Sequence, residues 1–196
     1  MIETMVAEKR RRATYQDVLD APDDVVAEVI DGVLYLQPRP RVHHTNVSSK
    51  LGAALLRPPG EDGVAQETGW VVYDEPELHL GPEPDIVVPD IAAWRRGRFA
   101  GVDYDGNPAY VTVPPDWVCE LLSPGTAKTD RMLKLPVYRR EGVQWAWLVD
   151  ATARLIDVFH ARADGWCLVE TRSGGKRERI PPFDEVALNL EWLWTP

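Results

Sequence analysis

Three side chains sit where chemistry explains them better than packing does. Glu120 lies in the middle of WVCELL, residues 117–122, where five of six positions are apolar. Such a run reads as a strand buried on both faces. A carboxylate there is costly unless a proton, a paired cation or a metal ion offsets it. Asp90 is likewise an acid inside an apolar run, DIVVPDIAAW, residues 85–94, behind a proline that marks a bulge or an edge position. Asp85 stands at the entrance of the same run. Two acids on adjacent buried strands repel each other, so one protonates or a cation sits between them. A hard divalent ion held by carboxylates and waters answers this economically. Two unrelated salt bridges are the structural alternative.

Lys134 is the third element. It lies in TDRMLKLPVY, after the SPGT turn that follows the Glu120 strand. A helix starting near Thr129 projects it from the second turn. One reading is an exposed Asp130–Lys134 pair at i,i+4, contributing a few tenths of a kcal/mol. The other is an ammonium reaching back into the acid pocket, to orient or deprotonate a water or to stabilise a phosphorane-like transition state. On that second reading Lys134→Ala leaves the melting point nearly unchanged. Pro136 removes the helical bond to Met132 and predicts a kink beside Lys134.

The positioning elements follow from the pattern. Thr14 caps a short helix closed by Pro22. Val25–Ile30 and Val33–Gln37 flank Asp31-Gly32, a strong two-residue hairpin signal. Val47, Leu51, Ala54 and Leu55 recur at helical spacing, and RPPGEDG stops that helix. Strands are expected over 70–73, 78–80, 85–94 and 111–122, then a helix over 131–140. Residues 95–110 read as a polar, mobile loop whose Arg95, Arg96 and Arg98 are solvated or flank phosphates. Runs 144–149, 155–160 and 166–171 form an antiparallel meander. The expectation is an α+β fold, with a central mixed β-sheet flanked by helices, an N-terminal hairpin and a C-terminal antiparallel meander.

The chain has 196 residues, 44% hydrophobic and 27% charged, which fits one globular domain over 14–196 behind a charged lead-in, 1–13. No apolar run is long enough for a membrane span. Cys119 and Cys167 lie in apolar strings, so both are expected as buried thiols in a reducing cytoplasm. The net charge of −9 argues against a passive electrostatic nucleic-acid binder, but not against an enzyme that meets phosphates through a metal ion. Most of the eight Trp fall in strand-like runs and read as core.

The strings EVIDG, PRPRVHH, VVPDIAAW and PDWVCELLSPGTAKTDRMLKLPVYRREGVQWAWLVD resemble the Uma family of restriction endonucleases, within the PD-(D/E)xK nuclease superfamily. The resemblance runs from about Thr14 to Phe159. It implies a restriction-endonuclease-like core and a metal-dependent endonuclease acting on DNA with Mg²⁺ or Mn²⁺. The family's Pro-Asp matches Pro89-Asp90, with Pro84-Asp85 as the alternative; its strand glutamate matches Glu120. Superfamily members carry Lys two residues after that Glu; here the position is Leu122, and the lysine of the following helix matches Lys134. Glu28 resembles an early glutamate of such folds, and His44 matches the histidine opening the second helix, each with a structural role as the alternative. Ser123 contacts substrate or caps the turn. A homodimer would suit cutting both strands of a duplex. The competing functions are a nuclease-fold binding module without catalysis and a Trp-rich ligand-binding β domain. Loops without aromatic-plus-acid clusters disfavour the last.

Overall fold

A computed structural model of the chain describes residues 11–56, 68–99, 106 and 108–196. Most of the 1–13 lead-in, the RPPGEDG stop and much of the 95–110 loop lie outside the described residues. Of the lead-in, Arg11 pairs with Asp17 at 2.6 Å and Ala13 donates its N–H to the Gly32 carbonyl.

Helix α1 (Tyr15–Leu19) starts at Thr14, whose amide donates to Asp17 at 2.7 Å. Strands β1 (Val25–Ile30) and β2 (Val33–Pro38) form the expected hairpin. Both turn residues, Asp31 and Gly32, take positive φ, 51° and 77°, as a hairpin turn matched to strand twist requires. The hairpin is not isolated: β4 (Leu78–Leu80) and β5 (Asp85–Val87) extend it into a four-stranded sheet in the order β2-β1-β5-β4.

The central sheet has six strands in the order β10-β9-β8-β7-β6-β3. They are β3 (Trp70–Asp74), β6 (Ile91–Arg95), β7 (Trp117–Leu121), β8 (Trp145–Asp150), β9 (Leu155–Arg162) and β10 (Gly165–Arg172). Only β7 and β8 run parallel; the other neighbours are antiparallel, and the C-terminal three form the meander. A parallel pair needs a crossover, and residues 122–144 supply it. That crossover contains α4 (Ala127–Thr129), a π-helical turn (Asp130–Lys134) and α5 (Leu135–Arg140).

Helix α2 (Val42–Leu56) buries Val47, Leu51 and Leu55 against one face of this sheet, beside Ile180, Phe183 and Leu190 from the C-terminal segment. Gly52 permits the approach, since a Cβ there would stand 2.8 Å from Asp74 Oδ1. The opposite face packs Val118, Ala146 and Leu148 against Leu135, Val137 and Tyr138 of α5 and against Leu78, Leu80 and Val87 of the smaller sheet. Strand alternation therefore sends Trp117, Cys119 and Leu121 to the α2 side and Val118 and Glu120 to the α5 side.

Several local expectations differ. DIVVPDIAAW is two strands in two sheets: β5 ends at Val87, β6 starts at Ile91, and Asp90 lies between them. Pro89 has no N–H for a ladder, so the chain changes sheet there. Only Trp117–Leu121 of the 111–122 run forms a strand, because Pro114 and Pro115 have no N–H for a ladder, and Val111 bridges Leu78 of the smaller sheet instead. Arg96–Phe99, expected as loop, makes one helical turn, α3. Cys119 is buried, but Cys167 is exposed on β10, the edge strand of the central sheet.

Candidate active site

The side chains meet in a cavity of about 350 Å³ between the two sheets. Glu120 projects from the centre of β7, Glu28 from β1, and Asp130 and Lys134 from the crossover; all four are 3% exposed or less. The π-helical turn makes this possible. Leu135 donates its N–H five residues back, to the Asp130 carbonyl, just ahead of Pro136, so the expected disturbance is a widened turn. It buries Asp130 and Lys134 on one side.

Lys134 Nζ lies 2.9 Å from Glu120 Oε1, 3.0 Å from Glu120 Oε2, 3.1 Å from Glu28 Oε1 and 2.8 Å from the Val88 carbonyl. Asp130 Oδ1 is farther, at 3.9 Å. The lysine thus reaches the acid pocket, and its i,i+4 neighbour joins it there. Burial works against the ammonium, but Glu120, Glu28, Asp130 and Asp90 together outweigh it and raise its pKa. The expectation that Lys134→Ala leaves the melting point unchanged fails on this geometry: the ammonium is the central partner of buried acids, and removing it strands them.

Tyr138 donates its hydroxyl to Glu120 Oε1 at 2.6 Å. Burial drives Glu120 well above the usual carboxylate range, with Asp130, Asp90 and Glu28 adding to the push and Lys134 opposing it. Burial likewise lifts Asp130 to about 6. Glu28 accepts from the Val88 N–H at 2.8 Å and from Gln37 Nε2 at 2.6 Å. Tyr138 and Gln37 were not singled out in the sequence. Tyr138 is one helical turn after Lys134, which is the signal that could have found it.

Asp90 sits at the wall of the cavity. Its Oδ2 accepts the Leu121 N–H at 2.6 Å and its Oδ1 is 3.2 Å from His44 Nε2. The same His44 nitrogen is 3.0 Å from the Leu121 carbonyl. Burial lowers His44, but the bond to Asp90 and its charge outweigh that and leave the pKa raised. Asp85 is elsewhere: it accepts the Asp31 N–H at 2.6 Å and pairs with Arg140, anchoring the hairpin turn to α5. Ser123 Oγ is 3.1 Å from Thr126 Oγ1 and accepts the Thr126 N–H, closing the turn before α4. Arg98 pairs with Asp116 at 2.5 Å and Arg95 lies over Trp70 near Glu185, so neither lines the cavity.

Among the described residues no three His, Cys, Asp or Glu side chains converge as a ready-made metal cage. The donor chemistry nevertheless fits a hard divalent cation. Five carboxylates, of Glu28, Glu75, Asp90, Glu120 and Asp130, line the cavity with one buried lysine. Mg²⁺ and Mn²⁺ characteristically take one or two carboxylates and complete their shell with water and phosphate.

Over 93% of its length the chain resembles the crystal structure of a "putative nuclease belonging to DUF820" from Anabaena variabilis ATCC 29413, with a TM-score of 0.67, 20% identity and 97% of that chain covered. The chain belongs to the Uma2 family, described as "Putative restriction endonuclease", whose model matches residues 12–191. No curated protein matches it. No helix among the described residues is long and apolar enough to cross a membrane.

Proposed function

We propose that the chain is a metal-dependent endonuclease that hydrolyses phosphodiester bonds in DNA in the cytoplasm. One observation carries this reading: a buried ammonium, Lys134, held between Glu120 and Glu28 at the back of a cavity walled by Asp90. Family membership supports a nuclease, and the acid-rich donor set supports Mg²⁺ or Mn²⁺ as the ion.

Asp90 and Glu120 are the residues that would hold the ion. When bound, it lowers the pKa of an attacking water and offsets the charge that builds on the scissile phosphate. The chain supplies the rest. Lys134 is a preorganised positive charge beside Glu120 and acts electrostatically on the phosphate, because preformed dipoles and charges in a water-poor site lose little to reorganisation. Tyr138 and the Leu121 amide fix the Glu120 and Asp90 carboxylates in orientation. His44 holds the other Asp90 oxygen. A homodimer would present two such centres to the two strands of a duplex; light scattering near twice the chain mass checks this.

The test is cleavage of plasmid and single-stranded DNA with Mg²⁺ or Mn²⁺, with Glu120→Ala as control. Cleavage by the wild type alone is expected; none under either metal, or cleavage by the variant, overturns the reading. A second reading, a nuclease-fold binding module without catalysis, has one observation in its favour: both Glu120 oxygens are already engaged by Lys134 and Tyr138. Under that reading DNA is bound and left intact.

A further inference from the structure

The cavity has a mouth as well as an acidic floor, and the mouth carries the opposite charge. One side is the end of β2 at Pro38 and the segment between β2 and α2, Arg39-Pro40-Arg41; the other is the Ser123–Thr126 turn. Arg39 and Arg41 are exposed, line the cavity, and have no carboxylate partner among the described residues. Arg39 Nη2 makes one weak bond, 3.3 Å, to the Asp23 carbonyl.

Arg12, Arg95, Arg98, Arg131, Arg140 and Arg172 each face a carboxylate within 4 Å. Arg96, Arg139, Arg154, Arg162 and Arg179 show no such pair among the described residues either, but of these unpaired arginines Arg39 and Arg41 alone line the cavity. In a chain of net charge −9, an unpaired guanidinium beside an acid-rich cavity is conspicuous. Electrostatics gives the reason it matters. The acids lining the cavity outnumber Lys134 and repel a polyanion, and like charges a few ångströms apart cost on the order of a kcal/mol even in water. A phosphodiester approaching them needs positive charge along its path. Arginine suits the task, since its planar fork takes two phosphate oxygens at once. The prolines on either side of Arg39 limit the backbone freedom of the segment, so less entropy is lost when it engages a ligand. Neither the segment nor the first turn of α2 holds an acid to neutralise the arginines.

We infer that Arg39 and Arg41 form a phosphate clamp at the mouth of the cavity, taking the backbone phosphates of a nucleic-acid strand that flank the bond presented to Asp90 and Glu120. This rests on the nuclease reading for its orientation, but its test does not. Binding of fluorescein-labelled single-stranded and duplex DNA is followed by anisotropy in Ca²⁺ over a range of NaCl concentrations, for the wild type, Arg39→Gln/Arg41→Gln, Arg39→Lys/Arg41→Lys and the control Arg96→Gln. The Gln pair should weaken binding roughly tenfold per arginine and reduce the salt slope by about two. The Lys pair should keep most of the slope, and Arg96→Gln should behave as wild type. Inorganic phosphate and a mononucleotide should compete only at far higher concentration than the oligonucleotide. Wild-type affinity and slope in the Gln pair, no binding by the wild type, or equal competition by free phosphate would overturn the clamp. A cleavage assay on the same proteins separates the two readings. Arginine-dependent binding without cleavage by the wild type sinks the nuclease and leaves the clamp. Cleavage with unchanged KM in the Gln pair sinks the clamp and leaves the nuclease.

Discussion

Lys134 Nζ stands 3.1 Å from Glu28 Oε1, so the crossover of the central sheet is tied by charge to the first strand of the smaller sheet. Glu120 approaches the same ammonium from the central sheet, at 2.9 Å. One cation therefore joins β1 to β7 and to the crossover that follows β7. Its surroundings, not its chemistry alone, fix what substitutions there will do.

Lys134→Ala should destabilise the fold by about 3–5 kcal/mol, since removing one partner of a buried ionic cluster leaves uncompensated charge. Urea unfolding at pH 7 measures it. A loss below about 1 kcal/mol would mean that water or a neighbouring group replaces the ammonium. Because folding and catalysis are both hit, the cleavage assay for this variant belongs well below its midpoint.

Stability should fall as pH rises through the weakly acidic range. Asp130 holds its proton to about 6 in the folded chain, against an ordinary value of 3.8, because burial disfavours its charge. Below 3.8 both states are protonated. Between 3.8 and about 6 the folded state binds more protons than the unfolded one, so stability declines as pH climbs, and above that window the contribution is gone. The effect amounts to about 3 kcal/mol. Burial of Glu120 pushes in the same direction. Asp130→Asn should therefore gain on the wild type between pH 4 and pH 6.5, with chelator present. Parallel stability curves for the two proteins would contradict this.

Divalent ions should raise the melting temperature. A ligand that binds only the folded state adds about 2.7 kcal/mol at a hundred times its Kd, and EDTA should reverse the shift. Asp90→Asn keeps an oxygen to accept the Leu121 N–H but removes the charge, so the variant should fold and lose the shift. Retention of the full shift in that variant would remove Asp90 from the donor set.

The two Pro-Asp dipeptides should separate cleanly. Asp85→Asn loses an ion pair with Arg140 and weakens the anchor of the hairpin turn, at about 1–3 kcal/mol, yet should cleave DNA as wild type does. Asp90→Asn should fold near normally and not cleave. Single-turnover cleavage set beside thermal melts reads both; the opposite pattern would move the site to the hairpin end of β5.

What was legible in the sequence followed from strong local signals. Asp31-Gly32 has one good solution, a tight turn, so the hairpin came out in register. Glu120 stood out because five apolar neighbours surround one acid, and Lys134 stood out as a cation on the next helix. The failures share a cause. Pro89 marks a bulge or an edge position within one strand, but a residue without an N–H can equally end a ladder, and which outcome wins depends on the sheet that β5 joins. Asp130 looked like a helix-surface partner because helical spacing assumes 3.6 residues per turn, whereas a π turn shifts the face. Gln37 carries no charge and nothing local marks it, whereas Tyr138 is marked only by its place one helical turn after Lys134. Asp85 and Asp90 have near-identical neighbours and differ only in what folds against them.

Two backbone amides deserve a spectroscopist's interest. Val88 and Leu121 do not spend these N–H groups on a neighbouring strand; they give them to Glu28 at 2.8 Å and Asp90 at 2.6 Å. An amide proton held by a carboxylate resonates downfield of its neighbours and exchanges with solvent when that carboxylate lets go, not when the sheet opens. These two protons are therefore native probes, one at each end of the Pro89 break. A ligand that draws charge from Asp90 would shift the Leu121 signal and leave Val88 as the internal reference, so occupancy can be followed at one nucleus with no label in the pocket.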